Sequence, residues 1–257
     1  MSNQSHDPRR PTKAERKEQA RLEREAIQRQ MAARTRNRTI GLSLVALAVV
    51  GAIVAVVVLR PDESADADLP AASVLLDQAA ADAGAAGCDE VSPTEPYPDA
   101  DAAHIEGDER FPELPALDTY PTTPPASGPH TGSAALPAGI YDAPPDMGAV
   151  IHSLEHGASV IWYDPDAPSG DLQPIFDFYG QSDPVGQDRV MVAPFDYEGP
   201  AGQLPEGVQM SLVAWPRQQS CATPSRSVAF DFASQLSYPT TEDREYAGEA
   251  PEPGAAI

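Results

Sequence analysis

Four histidines, His104, His130, His152 and His156, carry the pattern in this 257-residue chain best suited to chemistry. His130 closes the run Pro124-Pro125-Ala126-Ser127-Gly128-Pro129-His130. Proline fixes φ and glycine permits a tight turn, so an imidazole mounted there has little freedom and makes a good ligand. His152 and His156 lie in Val150-Ile151-His152-Ser153-Leu154-Glu155-His156-Gly157. Their four-residue spacing puts both rings on one face of a helix, whereas on a strand they would stand about 13 Å apart, too far for one ion. Imidazoles without free thiolate suit Cu(II) or Zn(II), so the expected site is a transition-metal centre, copper before zinc. Met147, Met191 or Met210 would add a soft donor, though each reads first as core packing. Glu155 and Ser127 are expected to orient the imidazoles as hydrogen-bond partners of the ligands.

His152 to His156 also matches the H-x-x-E-H pattern of inverted zinc peptidases, where two histidines bind zinc and the glutamate activates water. Those enzymes set the motif in a long helix, and here Gly148 and Gly157 bracket only eight residues. A zinc-dependent hydrolase therefore ranks behind metal binding, and the sequence favours a non-catalytic role. There is no G-x-S-x-G elbow, no phosphate-cradling glycine loop and no EF-hand pattern.

The elements that must position these residues follow from charge and hydropathy. Residues 1–38 hold 11 basic and 5 acidic residues, whereas residues 60–257 hold 6 arginines against 34 acids. Between them Thr39 to Leu59 carries no charge, and its 21 residues at about 1.5 Å each span roughly 30 Å, one hydrocarbon thickness. The expectation is a transmembrane helix. Arg34, Arg36 and Arg38 flank it on one side and only Arg60 on the other, which places the N-terminus in the cytoplasm and the rest outside. An acidic extracytoplasmic body repels phosphate backbones, so the partners expected are the bilayer and a membrane protein, and not nucleic acid.

The chain thus divides into a basic cytoplasmic leader (1–38), with helix-forming composition over Lys13 to Arg36, and the membrane helix (39–59). An acidic and Ala-rich linker (60–87) follows, with a short helix over Ala71 to Ala86, then a folded body (88–238) and a disordered tail (239–257) rich in Pro, Glu and Ala. The body opens with Pro-rich loop as far as Pro145. Strands are expected over Ala158 to Tyr163, Val190 to Ala193 and Val208 to Trp215, with helices over Asp171 to Tyr179 and Ser227 to Leu236. The implied fold is a single α+β domain, a small sheet with helices on one face, wrapped by the N-terminal loop. Cys88 and Cys221, at its two ends in an oxidising compartment, are expected to form a disulfide.

One N-terminal membrane helix, His104-Ile105, Pro124-Pro125-x-Ser127-Gly128-Pro129-His130, His152-Ser153-Leu154-Glu155-His156-Gly157 and Ala214-Trp215 together resemble the bacterial, mainly actinobacterial, membrane-anchored family catalogued as domain of unknown function 3105. The resemblance covers about His104 to Leu236. The chain departs from it at Ala126, Thr131 and Pro216, where the family usually has threonine, an aromatic and glycine. The resemblance implies a shared architecture and histidine constellation rather than a mechanism. The expected function is metal sequestration, delivery or sensing at the membrane, with a non-catalytic structural or interaction subunit of a membrane complex as the alternative.

Overall fold

The structure is a computed structural model that describes residues 69–132, 135–181, 187, 189–239 and 245–257. The basic leader, the apolar run Thr39 to Leu59 and the acidic start of the linker lie outside the described residues. No described helix is long and apolar enough to cross a membrane.

The described part of the chain is α+β. Four helices, α1 (Ala72–Ala85), α2 (Met147–Glu155), α3 (Ser169–Tyr179) and α4 (Arg226–Leu236), accompany a mixed six-stranded sheet. Its strands are β1 (Ser92–Pro93), β2 (Gly139–Ile140), β3 (Ser159–Tyr163), β4 (Val190–Pro194), β5 (Met210–Ala214) and β6 (Arg217–Cys221), in the order β1-β6-β5-β3-β4-β2. The centre is β3, parallel to β4 through the α3 crossover and antiparallel to β5. Its five residues, Ser-Val-Ile-Trp-Tyr, are β-branched or aromatic for the most part, as a strand covered on both faces requires.

Because side chains alternate along a strand, the sheet feeds two cores. Ile161, Val190, Val192, Met210 and Leu212 point to one, packed against Leu75 of α1, Ile175 and Phe178 of α3, and Phe230 of α4. Val160, Trp162, Met191 and Val213 point to the other, packed against Val150, Ile151 and Leu154 of α2 and against Tyr120 and Ala126 of the Pro-rich loop. The expected single layer of helices is therefore corrected. Helix α2 lies on the face opposite the other three, because its apolar residues at i, i+1 and i+4 match the second face of the sheet.

Two boundaries also differ from the sequence reading. The Ala-rich stretch is not a linker, since α1 buries Leu75 and Ala79 against α4 and the Ser227 hydroxyl donates to Asp82 at 2.5 Å. The expected disordered tail is ordered from residue 245 onward. Its Ala247 N–H donates to the Gln235 carbonyl, and its Glu252 and Gly254 N–H groups donate to the Glu155 and His156 carbonyls at 3.0 and 3.2 Å. A helix leaves its last carbonyls without intrahelical partners, and the tail supplies donors for those of α2. Strand β6 was missed because Arg-Gln-Gln-Ser-Cys has no apolar alternation; it follows β5 through Trp215-Pro216, whose peptide bond is cis. The disulfide between Cys88 and Cys221 is present and ties the approach to β1 onto the end of β6.

Candidate metal centre

Helix α2 and the Pro-rich loop build the centre. Asp146 caps the helix by accepting the Ala149 N–H at 2.9 Å. At the other end Gly157 has φ +86°, while its N–H meets the Leu154 carbonyl and the Ala158 N–H meets the Ser153 carbonyl. This is a Schellman ending, and it stops the helix where His152 and His156 still share a face. Their ring centroids are 4.4 Å apart.

His130 is fully buried and its loop is braced from several sides. The Ser127 hydroxyl donates to Asp101 Oδ1 at 2.5 Å, and the Tyr120 hydroxyl donates to the Pro129 carbonyl at 2.6 Å. Gly128 has φ +122°, and a Cβ there would lie 2.9 Å from the Tyr120 ring. The stretch around Ala103 to Ile105 runs beside this loop, with the His130 N–H on the Ala103 carbonyl and the Ile105 N–H on the His130 carbonyl. That pairing carries His104 to within 4.8 Å of His130, centroid to centroid.

All four histidines of the body therefore gather, His152 lying 5.4 Å from His104 and 5.5 Å from His130. Glu155 stands among them, 4% exposed. Its Oε2 is 3.0 Å from His130 Nε2 and 3.2 Å from His104 Nε2. Donors on one tetrahedral ion with bonds of about 2.0 Å lie roughly 3.3 Å apart, so this spacing suits a shared cation. Burial would raise the Glu155 carboxyl, but the hydrogen bonds and charge of His130, and then of His104, outweigh it and hold the group below its usual range.

The ring nitrogens are sorted by their neighbours. His130 Nδ1–H donates to the Gly128 carbonyl at 2.8 Å, and His156 Nδ1–H donates to the Ala256 carbonyl at 2.7 Å. A carbonyl at Nδ1 fixes that proton and turns Nε2 into the ligand atom, the arrangement common around protein-bound metals. For His130 the consequence is sharp, because its Nε2 faces a carboxylate oxygen. The 3.0 Å contact leaves room for one positive centre shared by the two atoms, and a metal cation bound by both Nε2 and Glu155 meets that requirement.

Glu155, expected to orient a ring or, in the hydrolase reading, to activate water, offers a donor atom to both sets of histidines. The Ser127 hydroxyl bonds Asp101, which braces the loop that carries His130. Met147, Met191 and Met210 are buried in the two cores, so the gathered donors are nitrogen and oxygen. Trp215, 4% exposed, sets its ring edge-on to His130 at 6.1 Å and supplies an aromatic wall that Thr131 does not. Sequence reasoning missed the C-terminal strap, namely the Ala256 carbonyl on His156, Glu252 Oε2 at 3.6 Å from His156 Nε2, and Arg189, which binds the His156 and Ala255 carbonyls. Glu252 sits in a Pro- and Glu-rich stretch with no periodic signal.

Fold and site together define a small α+β domain in which one short helix and two paired loops gather four imidazoles around a buried carboxylate. The family model described as protein of unknown function (DUF3105) matches residues 118–253, just over half of the chain, and the chain belongs to that family. The match begins after His104, includes His130, His152, Glu155 and His156, and runs into the strap through Glu252. No curated protein and no solved structure matches the chain.

Proposed function

We propose that this is a membrane-anchored extracytoplasmic protein, of the actinobacterial kind its family resemblance implies, that binds a transition metal. His104, His130, His152, His156 and Glu155 hold the metal, for sequestration, delivery or sensing. The observation that carries the reading is the buried His130, whose Nδ1 is committed to a backbone carbonyl while its Nε2 faces a carboxylate shared with a second histidine. Nitrogen and oxygen donors favour Cu(II) and Zn(II) over Cu(I), and the Irving–Williams order puts Cu(II) first. The uncharged run Thr39 to Leu59 and its arginine flank support the anchor, and the disulfide supports an oxidising compartment.

The test uses the full chain in detergent, stripped of metal and titrated with Cu(II) and Zn(II) beside a His152→Ala/His156→Ala variant whose fold is checked by circular dichroism. Sub-micromolar binding, weakened at least a hundredfold in the variant, is the expected result. No binding, or equal binding by a folded variant, overturns the reading and leaves the histidines as loop structure in an interaction subunit.

A further inference from the structure

The gathered donors do not converge on one point. They form two sets of three, His104 with His130 and Glu155, and His152 with His156 and Glu155, each with its donor atoms within 4.8 Å of one another. Ring centroids repeat the division. The pairs inside a set are 4.8 and 4.4 Å apart, while His152 is 5.4 and 5.5 Å from the rings of the other set. Glu155 is the residue the two sets share.

We propose that the centre binds two metal ions, bridged by the Glu155 carboxylate. The inference rests on the metal-binding reading above and adds a second position to it. One ion sits on His104 Nε2, His130 Nε2 and Glu155 Oε2; the other sits on His152, His156 Nε2 and the second oxygen of the same carboxylate.

Several features fit this division. A tetrahedral ion takes four donors, so five donors spread over two clusters exceed what one such ion uses. A carboxylate that bridges holds two ions about 3.5–4 Å apart, the spacing of known two-metal sites. Each set has its own Nδ1 anchor, the Gly128 carbonyl for His130 and the Ala256 carbonyl for His156, so each presents a directed Nε2. Each also has a way to complete its coordination. The His104 side chain is 46% exposed, which leaves the first ion an open side for water or an exchangeable ligand. Glu252, 60% exposed and 3.6 Å from His156 Nε2, offers the second ion a further oxygen. Glu155 brings a carboxylate to both sets, and Glu252 adds a second one beside His156.

The full metal-free chain is titrated with Cu(II) alone, bound copper is counted by elemental analysis, and the loaded protein is examined by electron paramagnetic resonance. Two equivalents per chain and a half-field transition from two cupric spins a few ångströms apart are expected. His104→Ala and His156→Ala, one from each set, should each keep one equivalent and lose the half-field signal. One equivalent in the unaltered chain overturns the bridge while leaving the single-ion reading intact. No copper overturns both, and two equivalents without spin interaction overturn the bridge alone.

Discussion

In the proposed centre Glu155 is both the partner of two imidazoles and a metal donor, and the two roles separate by pH. In the metal-free protein it pairs with His130 and His104 and is held below the ordinary carboxylate range. A group whose folded-state value is depressed contributes stability that is present above its unfolded value and lost as pH falls through the folded one. Stability of the apo protein should therefore drop on the acid side, below the usual carboxylate range. Glu155→Gln, which keeps the shape and removes the ionisation, should flatten that limb in thermal melts recorded between about pH 2 and 7. The same variant should lose at least tenfold in Cu(II) affinity at neutral pH, because a charged oxygen donor becomes a neutral one. A variant with unchanged acid sensitivity would place the acid-labile contribution elsewhere, for example at Asp108, which the Arg110 side chain holds at about 2.

Helix α2 is nine residues long, and its usefulness comes from how it ends. The Schellman turn at Gly157 stops it, and the C-terminal strap takes its last carbonyls and the Nδ1 proton of His156. Removal of residues 251–257 takes away Glu252 and the Ala256 carbonyl together, and should weaken copper binding about 10–100-fold, the usual effect of losing a ligand's hydrogen-bond partner. A competition titration measures this, and undiminished affinity would show that the strap only covers the helix. The disulfide gives the opposite contrast. Cys221 belongs to the core on the other face of the sheet, so replacing both cysteines by serine should cost about 2–5 kcal/mol in urea unfolding and leave metal stoichiometry unchanged. What the sequence made legible follows the same division. Local patterns could be read directly: the four-residue spacing of His152 and His156, the stop at Gly157, the stiff mount of His130, and the apolar strands β3, β4 and β5. Contacts made across long separations left no local trace. The tail reads as disordered because Tyr246 and Ala250 are too few to give a period, though both help cover the core on the α2 side. The Ala-rich α1 reads as a tether because its apolar surface is spread thinly, yet Leu75, with Ala72, Leu76 and Ala83 beside it, packs into the core that α4 shares.

At the scale of the whole chain, charge and covalent chemistry bear on one proposal, that the chain is anchored in a membrane with its α+β domain outside. Residues 1–38 are basic and residues 60–257 strongly acidic, with an uncharged apolar run between them. Positive residues stay on the cytoplasmic side, so this order predicts an N-terminus inside and an α+β domain outside. The disulfide leads to the same side by an independent route, since cytosolic thiols are kept reduced. An export-dependent phosphatase fused after Ile257 should therefore be active in cells, and the same enzyme fused after Arg38 should be inactive. Cys88 and Cys221 should also resist alkylation in freshly lysed cells until a reductant is added. An active fusion at Arg38 with an inactive one at Ile257 would invert the topology and put the pair in a reducing compartment, where the cysteines would be thiols. The metal reading would then need recasting as well, because Cu(II) is not the form copper holds among cytosolic thiols, and soft donors would compete for it. With the domain outside, the acidic surface draws cations toward the exposed His104 edge of the centre, and the capture rate of Cu(II) should fall as added salt screens that field.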